Sequence, residues 1–206
     1  MATGSSTGVP VSSGTALSAI EALVIADVAG VEQAVIWQKA RIVLREFCHR
    51  TRVWRERLST VTVAGEATYA LDALITSGDG MVLSVVHDFS DGAHPLGVIV
   101  NGCRVSSREY RLDANRNLVL VTAPGTADWT LTVDVAVLPL PQWESIPDYL
   151  VTLWGEAIAA GVVARLLAKV DEGGAHLARV AYLNGISQAK VEVDGERMGV
   201  LASRPG

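Results

Sequence analysis

The feature that most constrains this chain is a hydrophobic period that changes twice. Over about Val31 to Arg50, Ile36, Ala40, Val43 and Phe47 recur at spacings of four, three and four, on one face of a helix, while Glu32, Lys39, Glu46 and His49 fall away from it. After Leu58 the pattern turns into short β-rich runs: Val61/Val63, Tyr69/Leu71, Val82 to Phe89, Val98 to Val100, Leu118 to Val121 and Leu131 to Val137. Turn signals separate them at Ala64-Gly65, Gly78-Asp79-Gly80, Asp91-Gly92, Asn101-Gly102, residues 113–117 and Pro124-Gly125. Pro139, Pro141 and Pro147 then close the region, and a helical pattern resumes. Strands this short, with no helices between them, predict an antiparallel sandwich or small barrel over 59–140.

The flanking segments read as helices. A short one is expected from Ala16 to about Ala26, through Leu17, Ile20, Leu23 and Val24, with a break at Ala29-Gly30 before the longer one. A third is expected from a cap at Ser145 or Ile146 to about Val170, with Asp148 in its first turn, where a negative charge suits the helix dipole. Gly173-Gly174 leads into a fourth, about Ala175 to Lys190. Neither flank is large enough for its own core, so 16–58 and 141–190 are predicted to pack together. The fold class is therefore α+β: a four-helix α-helical bundle with an inserted antiparallel β-sandwich or barrel module and extended termini. Residues 1–15 read as a flexible N-terminal arm. Residues 191–206 read as a C-terminal arm, where Val191, Val193, Met198, Val200 and Leu201 flank a hairpin-type Asp194-Gly195 turn. An isolated hairpin is marginal in water, so these apolar residues need a surface. An arm extended onto a neighbouring subunit is favoured over a return onto the fourth helix.

Composition bears on what covers the apolar residues. Of 206 residues 50% are apolar and only 19% charged, with mean hydropathy +0.32 and net charge −5. A typical soluble domain has about 25% charged residues, so a surface partly buried against other subunits fits this chain better than a bare one. The third helix agrees: Leu150, Leu153, Trp154, Ala157, Ile158, Val162 and Leu167 leave almost no polar face. Its most apolar stretch, Ala157 to Val170, is interrupted by Arg165 and Lys169, short of the roughly 18 apolar residues that signal a spanning helix. No Lys or Arg precedes Lys39, so a secretory signal lacks its basic start. No membrane partner is expected, and Cys48 and Cys103 are expected to be reduced thiols.

Little in the chain points to catalysis. His87, Asp88, Asp91 and His94 supply metal-ligand types within eight residues, yet the set is incomplete and a polar hairpin turn is the preferred reading. Cys48 and His49 are helix neighbours pointing about 100° apart, which does not make a nucleophile–base pair. His176 reads as a solvated or capping position near a helix start. Nucleophile-elbow, phosphate-loop, dinucleotide and zinc-protease motifs do not occur. The expectation is no enzyme, no cofactor and no metal. Charge is more informative. Lys39, Arg41, Arg45, Arg50, Arg52, Arg55 and Arg57 put seven of 17 basic residues into one short stretch, offset only by Glu46 and Glu56. This is either a patch for an acidic partner or phosphates, or a solvated face with salt bridges.

The same stretch carries a resemblance. The run from Ala40 to Trp54, with Glu46-Phe47-Cys48, Thr51 and Trp54, resembles the opening helix of the head-to-tail adaptor (connector) proteins of tailed bacteriophages. Supporting order follows in Ala64-Gly65-Glu66 before Tyr69 and Leu71, the Leu138-Pro139 exit, Ile146-Pro147-Asp148-Tyr149-Leu150, the small-residue helix Glu156 to Gly161 with Arg165 to Leu167, and a last helix with Ala181-Tyr182 and Ile186 to Lys190. The resemblance covers about 31–190. It departs from the family at Asp171-Glu172-Gly173-Gly174, where a Pro-Trp pair is common. It implies a structural virion protein made in the host cytoplasm: a dodecameric homo-oligomeric ring below the portal protein at the head–tail junction. Such a ring extends the channel for transient, non-specific passage of duplex DNA and docks downstream tail or nozzle proteins. On that reading Arg50, Arg52, Arg55 and Arg57, with Val191, Val193, Met198, Val200 and Leu201, are the expected assembly contacts. Two alternatives are a carbohydrate- or receptor-binding β module of a phage tail or baseplate, with Tyr110, Trp129 and Trp143 as aromatic platform, and a hydrolase whose dispersed site includes His87, Asp91 and His94.

Overall fold

The first helical period becomes helix α1 (Ser13–Ile25) and helix α2 (Gln33–Thr51), separated where Gly30 takes φ +80°. The computed structural model describes residues 10–86 and 97–202. Helix α2 stops at Arg52, which enters the left-handed region at φ 56° and donates its backbone N–H to the Cys48 carbonyl. This is a helix-ending geometry usually given to Gly. The chain then leaves directly as strand β2 (Arg55–Val61).

The β region is arranged around one long strand. In chain order β3 (Thr68–Ala70), β4 (Gly80–Val85), β5 (Val98–Val100), β6 (Cys103–Arg104), β7 (Tyr110–Leu112), β8 (Asn117–Leu120) and β9 (Thr130–Pro139) follow β2. We count these after β1 (Pro10–Ser12) and before β10 (Ser145–Pro147). Strand β2 pairs along one edge of β9, from Arg55 opposite Ala136 to Val61 opposite Thr130. The other edge is shared end to end: β4 takes Val135–Pro139 and β5 takes Leu131–Val133, with β6 outside β5. A second sheet runs β3-β8-β7. All pairings are antiparallel, and no closed barrel is found among the described residues. The β pairing begins at Arg55 rather than at 59, and the short strands β6 and β7 carry too few apolar residues to show a period.

The chain returns to helix through α3 (Asp148–Leu167) and α4 (Glu172–Ala202). Helix α3 packs against α1, α2 and α4, and α2 also lies on β9. The close approach of α3 and α4 depends on small residues. A Cβ on Gly161 would lie 2.7 Å from Val43 Cγ1 and 2.8 Å from Tyr182 Cδ2. One apolar cluster runs through both regions and includes Ile36, Leu44, Phe47, Leu150, Ile158 and Val162 as well as Leu58, Leu118, Leu131 and Val133. The architecture is thus mixed α+β, with four α-helices among the described residues.

Several expectations need correction. Ser145 and Ile146 do not cap α3; they belong to β10, which pairs with Pro10–Ser12. Backbone demand from that pairing overrides the capping tendency of Ser145, and it removes residues 10–12 from the arm assigned to 1–15, while Ser13 already starts α1. Gly173-Gly174 does not precede α4 but lies in its first turn, where Asp171 Oδ1 accepts the Gly174 N–H at 3.0 Å. Asp194-Gly195 does not turn the chain. Helix α4 continues through it to Ala202, because most of its neighbours, Glu192, Glu196, Arg197 and Met198, are good helix formers. Helix α3 is also long and apolar enough to cross a membrane by length and composition, with mean hydropathy 1.6, a test that the core helix of a soluble protein passes as well.

Candidate assembly surface

The segment that carries the resemblance folds as the crossing from helix to sheet. Phe47 is fully buried, with its ring 5.7 Å from that of Trp154 on α3 and 6.3 Å from that of Tyr182 on α4. Cys48 beside it is buried in the core, and desolvation pushes its thiol far above the ordinary range. Thr51 Oγ1 donates to the Phe47 carbonyl at 2.7 Å and closes the last turn of α2. Trp54 is buried, and its Nε1 donates to Glu56 Oε1 at 2.9 Å and Ser77 Oγ at 3.1 Å, while Ser77 donates to Glu56 as well. These contacts tie the start of β2 to the segment before β4.

The four arginines beyond this point fall into different environments. Arg50 pairs with Glu46 one turn earlier at 3.3 Å, and Glu46 also meets Arg165 of α3. Arg52 is exposed at the helix end. Arg55 donates to the Arg52 carbonyl at 3.3 Å and to the Val193 carbonyl of α4 at 3.5 Å. This brings the basic stretch and the C-terminal segment together. Arg57 lies within the sheet and holds Asp134 with two bonds, 2.7 and 3.1 Å. Asp134 is buried and also accepts the Gly97 N–H at 3.0 Å. Its own backbone bonds to Val86 and Gly97 on either side of the break between β4 and β5. Arg57 is therefore engaged within its own chain while its side chain stays 38% exposed.

Of the tail residues, Val191 is exposed and Val193 half-buried. Met198, Val200 and Leu201 lie on the helical backbone of α4, and their side chains lie outside the described residues. So do His87, Asp88, Asp91 and His94, of the metal and hydrolase readings. His49 and His176 are exposed. Tyr110 and Trp143 are buried, so they offer no sugar-stacking platform, while Trp129 is partly exposed.

Two surface features were missed. The outer side of α4 carries Leu177, Val180, Leu183 and Val191, which share about a third of the circumference at ~100° per residue. Leu177 and Val191 are about 70% exposed, and Leu153 of α3 and Val170 after it are exposed as well. The inner side is a separate stripe, Tyr182, Ile186 and Ala189, buried against the core. Two apolar stripes on one helix were the available signal. The second feature is a hollow of about 440 Å³ lined by Arg41, Ile42, Arg45, Glu46 and His49 of α2 with Leu138 and Pro141. Arg45 there donates to the Pro139 carbonyl at 2.5 Å, and the Arg41 guanidinium lies 5.9 Å from the Trp143 ring centroid.

No protein-family model matches this chain, and no curated protein matches it.

Proposed function

We propose that this protein is a structural virion component, a head-to-tail adaptor that forms a dodecameric ring below the portal, extends the DNA channel and docks tail components. The observation that carries this reading is the outer stripe of α4. Leu177, Val180, Leu183 and Val191 are solvent-facing in a single chain, and a surface of this kind marks a site for another protein. A ring supplies such a partner on both sides of every subunit. The reading also accommodates a chain of net charge −5, since an acidic channel repels duplex DNA and lets it pass without adhering. The architecture that belongs to it is a helical bundle carrying the β region as an inserted sandwich. No cofactor and no catalysis are part of the proposal.

The experiment is a native mass measurement of the full chain, alone and with the purified portal protein of the same virion. The expected result is incorporation of multiple chains into one portal-bound particle, with Leu177→Asp and Val180→Asp together preventing it. A chain that never joins portal overturns the reading.

A further inference from the structure

We infer that the hollow on α2 lined by Arg41, Arg45 and His49 is the socket for the acidic run Glu192–Glu196 of α4 of a second copy of this chain. The inference rests on the ring reading and specifies its subunit contact. Arg41, Arg45 and His49 are spaced by four residues, so their side chains leave α2 one above another, about 5–6 Å apart at Cβ. Ile42, Leu138 and Pro141 supply apolar wall beside them. The socket therefore fits a segment that alternates carboxylates with small apolar groups. Arg45 and Glu46 are occupied within the subunit, by the Pro139 carbonyl and by Arg50 and Arg165. Arg41 differs: its Nε is buried without a hydrogen-bond partner among the described residues, and so is Nε1 of Trp143, the ring beneath it. A carboxylate in the socket adds a charge-assisted bond to the half-buried Arg41 guanidinium.

The chain contains one segment with the matching chemistry. Glu192-Val193-Asp194-Gly195-Glu196 is its densest acidic run, three carboxylates in five residues. It lies on α4 beyond Ala189, the last buried residue of the inner stripe among those described. Val191 and Glu192 at its start are exposed, and the Val193 carbonyl accepts from Arg55 of its own chain. A basic socket on one element and an acidic run on another make a contact that is not self-complementary. Such a contact is head-to-tail, and repeats of it close into a ring when the rotation allows. Charge complementarity of this kind sets register and partner choice more than raw affinity.

Disulfide trapping between two single-cysteine partners tests this directly. With Cys103→Ser to remove the exposed native thiol, full-length H49C and full-length E192C are prepared separately, mixed and oxidised at high concentration. The expected result is a covalent dimer in the mixture that neither variant forms alone, with its yield reduced at least about fivefold by high salt or by Arg41→Glu. The chain carrying both cysteines should give a ladder beyond dimer. No mixed dimer, equal dimer in either single variant, or closure of the double variant within one chain each overturns the inference. The trapping uses two free copies and no portal, so its failure is distinct from failure to join portal.

Discussion

At the scale of single residues, the basic stretch separates into cations that hold the subunit together and cations available to a partner. Arg57 and Asp134 form a two-bond pair at the point where β4 and β5 share β9. The side chain of Asp134 is 9% exposed while that of Arg57 is 38% exposed, so solvent screens only one end of the pair. Removing Asp134 leaves the Gly97 N–H and the guanidinium without their acceptor. Asp134→Ala is expected to cost roughly 1–3 kcal/mol, less than a fully buried pair because Arg57 reaches water. Arg52→Glu should leave stability within about 0.5 kcal/mol, as for surface substitutions generally. Urea unfolding of the two variants checks this; equal destabilisation would contradict the division. Sequence position alone did not separate these arginines, because the partner of Arg57 lies 77 residues away.

At the scale of elements, α3 and α4 are held close by the absence of side chains. Gly161→Val would place new atoms where Val43 and Tyr182 already stand, so it is expected to cost about 1–3 kcal/mol through overpacking. The thermal midpoint should fall accordingly, and an unchanged midpoint would show that α3 and α4 are not packed at this point. The apolar spacing of α2, the break at Gly30 and the small residues of α3 were legible in the sequence, because each is a local pattern with a local cause. The end of α4 was not. Asp194-Gly195 is a turn signal when the flanking residues are strands, and only the helix running into it decides the matter. The pairing of β10 with β1 was equally hidden, since it joins residues from opposite ends of the chain. The outer stripe of α4 was visible as Leu177, Val180 and Leu183, but the sequence does not say which of two apolar stripes the core takes. Deleting residues 191–206 removes the last turns of α4 beyond Ala189. The midpoint of the remaining chain is expected to stay within a few degrees, while joining to portal is lost. A collapse of stability would place the segment in its own subunit's core.

At the scale of the whole molecule, one apolar cluster joins the helical and β regions, while apolar surface on α4 stays exposed. A low charge content, an apolar outer helix face and an acidic run on α4 are the features from which the proposed ring assembly is argued. The central claim is assembly, and stoichiometry measures it most directly. On the proposed adaptor reading, native mass spectrometry or particle imaging of the chain mixed with purified portal is expected to show twelve copies seated on one portal ring. A protein that remains monomeric beside intact portal, at concentrations where both are soluble, contradicts the account.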